Sequence, residues 1–184
     1  MKTLIISGSL RKGSYNTLVA HIVQAYLQKE GVEARVVSQK ELELPLYNSD
    51  IRLEQFPESI TNLKQSVEES NIIVFVTPEY NHSIPGLLKN AIDWLSAGEK
   101  NSLDGKVGVS VGVSTGIFGT VRAQAHLREI LSALRVFVLP LPEVFIGSAG
   151  KIFNEQNELI DEKANEKIRL LLDETISFAK KIIE

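Results

Sequence analysis

Thr3-Leu-Ile-Ile6 and Gly8-Ser-Leu-Arg-Lys-Gly-Ser-Tyr-Asn-Thr17 decide the fold, together with the amphipathic segment that begins near Leu18. The apolar run predicts a buried strand, the polar run a turn, and the segment from Leu18 a helix. A strand that ends at such a turn and continues into a helix leaves unpaired backbone N–H groups and the positive end of the helix dipole facing one point. We therefore predict that residues 8–17, called the phosphate turn below, bind a phosphate group.

Side-chain donors are dense in the phosphate turn. An ordinary strand-to-helix turn needs only one capping hydroxyl, and such turns are far commoner than phosphate sites. Here four side chains with hydroxyl or amide donors and one arginine fall within a short stretch, which favours a bound phosphate. These residues are Ser9, Arg11, Ser14, Asn16 and Thr17.

Related phosphate-binding motifs are excluded by spacing and composition. No Gly-Lys-Ser/Thr follows Gly8 at the P-loop spacing, and the turn does not contain the Gly-x-Gly-x-x-Gly dinucleotide pattern. The chain has no cysteine, so a cysteine-based phosphatase loop is also excluded. A turn with hydroxyls but without the P-loop lysine suits holding a phosphate better than transferring one.

The composition is that of an ordinary globular protein. With 184 residues, of which 43% are hydrophobic and 23% charged, the chain is long enough for one domain, 1–184, and too short for two. A net charge of −3 argues against nucleic acid as a partner. No apolar run approaches the roughly 20 residues that cross a bilayer, and the N-terminus lacks a secretory signal. The absence of cysteine is compatible with a cytoplasmic protein, which is the expected location.

Strand-like and helix-like segments alternate along the whole chain. This alternation, with short turns, implies right-handed crossovers and a parallel sheet with helices on both faces. The predicted fold class is therefore α/β, a flavodoxin-like three-layer sandwich whose five-stranded parallel sheet has the order 2-1-3-4-5. The runs that predict strands lie at 3–6, 32–37, 72–76, 106–113 and 136–139.

Three polar loops should meet at one edge of this sheet. In doubly wound sheets, ligands bind outside the carboxyl ends of the strands, where the strand order reverses. The loops after the first, third and fourth predicted strands are the phosphate turn, residues 77–86 (the ring loop) and residues 114–120 (the third loop). Motifs far apart in sequence are therefore expected to line one crevice.

The ring loop and the third loop have features that suit a flat ligand. Tyr80, Asn81 and two prolines can provide a rigid wall with a polar edge, while Gly116 and Gly119 allow a close approach of the backbone. Taken alone, the ring loop is better explained as a stiff surface loop, and the glycines equally well as an ordinary turn into a helix. Beside a phosphate site, the two loops predict a mononucleotide.

Two long segments closely resemble the NADPH-dependent FMN reductase family, especially its bacterial quinone and chromate reductase branch. They are the phosphate turn and Thr77-Pro-Glu-Tyr-Asn-His-Ser-Ile-Pro-Gly-Leu-Leu-Lys-Asn-Ala-Ile-Asp-Trp94. The likeness extends to Leu44-Pro-Leu-Tyr-Asn-Ser-Asp50 and Pro142-Glu143, so it covers nearly the whole chain. The two long motifs together are highly specific.

The resemblance implies an FMN-binding enzyme that uses NAD(P)H. In such an enzyme the phosphate turn would bind the FMN phosphate, the ring loop would lie along the isoalloxazine and the third loop would close its far side. Backbone N–H groups of residues 79–81 would stabilise negative charge on the reduced ring. No residue is assigned as catalytic, because FMN carries the hydride chemistry. The implied cofactor-binding residues are Ser9, Arg11, Ser14, Asn16, Thr17, Pro78, Glu79, Tyr80, Asn81, Ser114 and Gly116.

Two positions depart from the family pattern. Gly119-Thr120 stands where the family often has a Gly-Gly pair, and this is expected to change how tightly the third loop wraps the ring. Ala125 replaces a tyrosine common in the chromate reductase branch and puts the tetramer contacts of that branch in question. Members of the family are usually dimers or tetramers, so the resemblance implies a homodimer or a homotetramer.

The predicted reaction is a ping-pong transfer of two electrons. NAD(P)H reduces the flavin and leaves, and a small-molecule acceptor then takes the electrons in the same cleft: a quinone, an azo compound, free flavin or a metal oxyanion such as chromate. The alternative is a flavodoxin-type electron carrier or an FMN-binding module without NAD(P)H oxidation.

Other functions are less favoured by the residues. Ser7-Gly8-Ser9 stands where a receiver-like signalling domain would need acidic residues, and a nucleotide hydrolase would need a lysine and a metal-binding aspartate beside the turn. Glu79 is a weak candidate for a general acid or base, since a loop glutamate is more often solvated or a hydrogen-bond acceptor. No metal is expected, because the three histidines share no ligand spacing with carboxylates.

Overall fold

A parallel β-sheet forms the middle layer of the protein, whose computed structural model describes residues 1–51 and 56–183. The hydrogen-bonded order is β2-β1-β3-β4-β5, and β6 lies beside the carboxyl-terminal half of β4. This order confirms the predicted flavodoxin-like sheet and adds a minor sixth strand. The strands are β1 (Lys2–Ser7), β2 (Glu33–Val36), β3 (Ile72–Val76), β4 (Val107–Val113), β5 (Phe137–Val138) and β6 (Val144–Ile146).

Helices cover both faces of the sheet and bury two separate apolar clusters. On one face, side chains of α1 and α6 pack against residues such as Ile5 and Val74. On the other, side chains of α2, α3 and α4 pack against Leu4 and Phe75. The helices are α1 (Tyr15–Lys29), α2 (Glu58–Glu68), α3 (Gly86–Ser96), α4 (Val121–Ala133), α5 (Ala149–Ile152) and α6 (Glu162–Ile183), with a short 3-10 helix at Lys40–Leu42.

The central strand explains why both faces are apolar. Every residue of β3, Ile72-Ile-Val-Phe-Val76, is fully buried. Successive side chains of a strand point to opposite faces, so a strand covered on both sides must be apolar at each position. The pairing of Ser7 with Val76 aligns the carboxyl ends of β1 and β3 and brings the loops that follow them together.

The strand predicted at 136–139 is shortened in the structure, and a sixth strand follows it. Only Phe137–Val138 pairs with the start of β4, and Val144–Ile146 pairs with its end after a register shift of three residues. Pro140 and Pro142 lie between the two segments and have no N–H to donate to the ladder. The predicted fifth strand is thus present but short, and β6 was not predicted because its apolar run is only three residues long.

Lys64, a half-buried residue on α2, stabilises the carboxyl-terminal end of α3. Its Nζ donates to the carbonyls of Leu95 (2.9 Å), Ala97 (2.8 Å) and Lys100 (3.3 Å). Carbonyls at the end of a helix lack intrahelical partners, and a cation there also interacts favourably with the helix dipole.

A Lys64→Met variant keeps the apolar stem but leaves these carbonyls without the ammonium. We expect the free energy of unfolding to fall by about 1–3 kcal/mol, because the lost hydrogen bonds involve a charged group. Urea unfolding followed by circular dichroism measures this change. A transition midpoint equal to that of the unmodified protein would show that water replaces the ammonium without loss.

Candidate functional site

The three predicted loops meet in one cleft at the carboxyl ends of β1, β3 and β4. The cleft has a volume of about 200 Å³. It lies where the strand order reverses, with β1 and β3 adjacent in the sheet. Its lining residues are Ser9, Arg11, Ser14, Tyr15, Asn16, Pro78, Glu79, Tyr80, Val113, Ser114 and Thr115.

Most of the predicted site residues line this cleft. Thr17, Asn81 and Gly116 do not, whereas Tyr15, Val113 and Thr115 line it without having been predicted. Each of these three is a direct sequence neighbour of a predicted residue or ends the strand that leads into the third loop. These residues lie at or close to the ends of α1 and β4, so the predicted ends of these elements could have identified them, whereas no sequence motif does.

Free hydrogen-bond donors surround the start of α1. Ser14 is the N-cap, and its Oγ accepts the N–H of Asn16 at 3.2 Å, which leaves the hydroxyl proton free to donate. In the described part of the chain, the N–H groups of Tyr15 and Thr17 have no acceptor. The buried Oγ1 of Thr17 also lacks a partner there. These donors and the helix dipole fit the phosphate group of FMN.

Arg11 adds an uncompensated positive charge at the mouth of the cleft. Its Nη2 donates to the carbonyl of Gly13 at 3.0 Å, and the guanidinium carbon lies 5.8 Å from the centre of the Tyr15 ring. No carboxylate pairs with it among residues 1–51 and 56–183, and the side chain is exposed. The guanidinium is therefore available for an anion.

Asn16 has a structural role that the sequence did not reveal. Its Nδ2 donates to the carbonyl of Val113 at 2.9 Å, and its Oδ1 accepts the N–H of Val113 at 3.0 Å. Both residues are buried. The side-chain amide thus joins the start of α1 to the end of β4, and one remaining N–H of the amide is all that its side chain could offer to a phosphate.

The ring loop contains a tight hairpin that exposes Tyr80. Tyr80 and Ser83 exchange N–H···O bonds of 2.9 and 3.0 Å, and the two residues between them, Asn81 and His82, have φ values of 49° and 65°. This is the geometry of a two-residue hairpin, in which asparagine tolerates the left-handed region. Tyr80 is 49% exposed beside the cleft, whereas Asn81 lies at the tip of the hairpin.

This hairpin corrects the expectation that backbone N–H groups of residues 79–81 are all free. The N–H of Tyr80 is used by Ser83, so it cannot also stabilise a reduced ring. The N–H groups of Glu79 and Asn81 have no acceptor in the described residues.

Glu79 caps helix α4 from a loop 43 residues away. Its Oε2 accepts the N–H groups of Arg122 (2.9 Å) and Ala123 (3.1 Å), and its Oε1 accepts from the Arg122 guanidinium at 3.3 Å. Thr120, the residue at the N-cap position, makes no capping bond with its own side chain. The carboxylate therefore satisfies helix donors that would otherwise be unpaired.

The same contacts keep Glu79 ionised. Burial raises the pKa of its carboxyl, but the hydrogen bonds from Ala123 and Arg122 and the charge of Arg122 outweigh burial, so the pKa lies below its ordinary value. An ionised carboxylate that accepts three N–H bonds is unsuited to donating a proton. Its position argues for a structural role rather than for acid–base chemistry.

The third loop is organised by its own serine and by β6. Ser114 Oγ donates to the carbonyl of Gly119 at 2.7 Å, and Ser114 N–H donates to Ile146 at 2.9 Å. A Cβ on Gly116 would meet only Ser114 Oγ, at 3.7 Å, so that side of the loop is open. Gly119 has φ +63° and packs against β6, with Ile146 N 2.9 Å from the position of a Cβ. The packing against β6 and the positive φ thus require glycine at position 119.

The fold and the cleft define a flavodoxin-like protein with a polar cleft at the point where the strand order reverses. The sequence model of the NADPH-dependent FMN reductase family matches residues 1–151. The chain therefore belongs to the NADPH-dependent FMN reductase family.

Several known proteins are similar over almost the whole chain. An NAD(P)H-dependent FMN reductase of Pseudomonas aeruginosa is 42% identical over 170 residues, which cover 92% of this chain and 90% of the relative. A quinone reductase of Escherichia coli K12 is 37% identical over 165 residues, covering 88% and 86%. The solved structure of FerB, a flavoenzyme NAD(P)H:(acceptor) oxidoreductase of Paracoccus denitrificans, superposes with a TM-score of 0.88 at 31% identity, covering 98% and 97%.

These similarities confirm the predicted class of enzyme. The chain is an FMN-dependent NAD(P)H oxidoreductase, with FMN as cofactor and NAD(P)H as co-substrate. Residues 1–51 and 56–183 contain no helix both long and apolar enough to span a membrane, and no group of three metal-ligating side chains. The roles of single site residues and the reduction of azo compounds or chromate remain predictions.

Proposed function

We propose that the protein reduces quinones with electrons from NAD(P)H in a ping-pong cycle. The observation that supports this most is that the start of α1 with its free hydrogen-bond donors, the exposed Tyr80 and the first residues of the third loop line a single cleft at the strand-order switch point. FMN, when bound, accepts a hydride from NAD(P)H and passes two electrons to the acceptor. The chain itself has to hold, orient and partly cover the reacting groups.

Each wall of the cleft has a distinct part in this proposal. In the phosphate turn, Ser9, Ser14 and Thr17 donate hydroxyl protons and Arg11 supplies charge. In the ring loop, Pro78 and Tyr80 lie along the ring plane, with Glu79 and Asn81 contributing backbone N–H groups. In the third loop, Ser114, Thr115 and Gly116 limit the far side.

Exposed apolar side chains near the cleft favour a planar, largely apolar acceptor. Leu10, Tyr80, Ile117 and Phe118 belong to the three loops and are between 45% and 78% exposed. A quinone ring can bury apolar area against such side chains, whereas a compact oxyanion such as chromate cannot. The quinone reductase among the relatives is in line with this choice. Azo compounds, free flavin and chromate are secondary acceptors in the proposal.

Steady-state kinetics of the FMN-loaded protein test this function. With NADPH and benzoquinone varied together, we expect parallel lines in double-reciprocal plots, because one substrate leaves before the other binds. Lines that intersect would exclude the ping-pong order. A flavin-loaded protein that does not oxidise NADPH with any acceptor would instead be an electron carrier.

An Arg11→Ala variant is expected to bind FMN at least about tenfold more weakly, since a charge-assisted hydrogen bond contributes about 1.5–3 kcal/mol. Quenching of FMN fluorescence by the apoprotein measures the Kd. Lys12→Ala is the matched control, because Lys12 is an exposed neighbour that does not line the cleft. Equal affinities for both variants and the unmodified protein would contradict the assignment of Arg11.

We further propose that the chain is one domain over 1–184 and forms a homodimer or homotetramer in the cytoplasm, where NAD(P)H is available. In an oligomer, an interface could cover the exposed side chains of Ile117 and Phe118 and remove their apolar surface from water. Ala125 is exposed on α4 and too small for extensive contacts, which weighs against a tetramer through that residue. Light scattering distinguishes a 20.4 kDa monomer from its multiples.

A further inference from the structure

One buried amide connects α4, β4 and β6 behind the cleft. Gln124 is 2% exposed, and its Nε2 donates to Thr120 Oγ1 and to the carbonyl of Val144, both at 2.9 Å. Its Oε1 accepts the hydroxyl of Ser110 at 2.9 Å. We call these four residues the Gln124 network. Both N–H bonds of the amide are used, so the side chain has a single orientation.

Thr120 faces the core and not the cleft. It is 0% exposed, and its Cβ lies 3.0 Å from the position that a Cβ on Gly112 would take. A glycine at position 120 would leave this space empty and would offer Gln124 no acceptor. Because Thr120 is buried, its side chain is not presented to a ligand and can act on the third loop only from beneath. It adds a buried hydrogen bond beneath that loop.

Strand β6 and the residues that follow it support the third loop by three backbone hydrogen bonds. Ser114 N–H donates to Ile146 (2.9 Å), Ser148 N–H to Gly116 (3.0 Å) and Ala149 N–H to Ser114 (3.0 Å). Two residues of the third loop, Ser114 and Thr115, line the cleft. The Gln124 network holds β6 through Val144 and the end of the third loop through Thr120, so it fixes the two parts relative to each other.

We propose that Thr120 and Gln124 are positioning residues of the flavin site, which hold the third loop against β6. This inference rests on the proposed FMN site, because the cleft wall matters for catalysis only if the ring binds there. Neither side chain lines the cleft. Their effect on FMN is transmitted through the backbone of residues 114–120.

The proposal is tested with Thr120→Val, which keeps the shape and removes the hydroxyl, and with Thr120→Ser, which keeps the hydroxyl. Hydrogen exchange of the apoprotein at the amides of Ser114, Ser148 and Ala149 reports the loop without any flavin. FMN titration gives the Kd. We expect Thr120→Val to speed exchange at these amides and to raise the Kd by about tenfold, and Thr120→Ser to restore both.

Gln124→Leu should have a larger effect in the same direction, because it removes all three bonds of the amide. Lys64→Met is the control for a general loss of stability, since Lys64 contacts the carboxyl-terminal end of α3 and does not line the cleft. It should lower the midpoint of unfolding without changing the exchange of the three amides or the Kd.

Two results would overturn the proposal. One is unchanged exchange and unchanged Kd in both Thr120→Val and Gln124→Leu, and the other is a Kd that rises equally in Lys64→Met. Failure of the proposed FMN site is distinguished by the unmodified protein, which would then not bind FMN at all. The exchange measurement still decides whether the network holds the loop in that case.

Discussion

An Asn16→Leu variant is expected to lose both stability and FMN. The substitution leaves the buried N–H and carbonyl of Val113 without the partners that the Asn16 amide provides at 3.0 and 2.9 Å. Each unsatisfied buried group reduces stability by about 1–3 kcal/mol, so we expect the loss of two partners to lower the free energy of unfolding of the apoprotein by about 2–6 kcal/mol. Urea unfolding measures this loss.

We expect the loss of FMN affinity because the hydrogen bonds between Asn16 and Val113 connect two walls of the cleft. Asn16 is at the start of α1, which carries the phosphate turn, and Val113 ends β4, which leads into the third loop. Without the hydrogen bonds between Asn16 and Val113, the phosphate turn and the third loop are no longer held at a fixed separation. We expect the Kd for FMN to rise by about 100-fold or more, which corresponds to about 2.7 kcal/mol.

Thr17→Val is the matched comparison for Asn16→Leu. The Thr17 hydroxyl is buried without a partner in the described chain, so its removal should leave the apoprotein equally stable or slightly more stable. FMN should nevertheless bind more weakly, because a phosphate donor is lost. If Asn16→Leu is as stable as the unmodified protein, the hydrogen bonds between Asn16 and Val113 do not stabilise the fold. If Thr17→Val binds FMN as tightly as the unmodified protein, Thr17 is not part of the site.

A Glu79→Gln variant is expected to be less stable than the unmodified protein, with a difference that depends on pH. The amide retains the shape but loses the charge that accepts the N–H groups of Arg122 and Ala123 and pairs with the Arg122 guanidinium. Charge-assisted bonds contribute about 1.5–3 kcal/mol. We expect a loss of about 1–2 kcal/mol at pH 7, since the amide oxygen still accepts weakly.

The pH dependence has a definite sign. The pKa of Glu79 is lowered in the folded protein from its ordinary value of 4.5. Its contribution to stability is therefore present above pH 4.5 and is lost as the pH falls through the folded-state pKa. The difference between the unmodified protein and Glu79→Gln should be largest near neutral pH and should shrink in acid.

Glu41 also has a lowered pKa, because the hydrogen bonds from Ser38 and Arg35 outweigh burial, so only the difference between the two proteins isolates Glu79. Glu143→Gln is a suitable control. Its carboxylate forms an exposed pair with Arg128 at 3.4 Å, and such pairs contribute about 0–1 kcal/mol. A constant difference for Glu79→Gln across the acid range would show that its charge does not cap α4.

The central part of the fold was predictable because its signals are local. The all-apolar run of β3 and the polar turns at the strand ends identify a parallel sheet and the edge where its loops meet. The sixth strand was harder to predict, since the three residues of β6 carry too little periodicity to be distinguished from a loop. Pro140 and Pro142 were the available signal.

The roles of Asn16 and Glu79 could not be read from the sequence for a different reason. Asn16 contacts a residue 97 positions away, and Glu79 caps a helix 43 positions away. Each contact depends on how the loops fold over the sheet edge, and nothing local to either residue specifies the partner. Both residue types also occur in ligand sites, so a dense polar turn does not distinguish a ligand donor from a structural bridge.

The orientation of the Thr120 side chain, at a position that departs from the family pattern, could not be predicted from the sequence either. The substitution was expected to alter how the third loop wraps a ring, because the residue lies next to that loop in sequence. The structure turns its side chain inward onto Gly112 and Gln124. Burial depends on the helix phase at the start of α4, and a single sequence does not define that phase at a helix end.

An anaerobic titration with NADPH tests the central claim most directly. The protein is first incubated with FMN, and the excess is removed by gel filtration. We predict that the protein keeps its yellow colour and that one NADPH per FMN bleaches the visible flavin band completely, because the nicotinamide reaches the ring in the same cleft. A protein that retains no FMN, or retained flavin that stays oxidised when NADPH is added, would contradict an FMN-dependent NAD(P)H oxidoreductase.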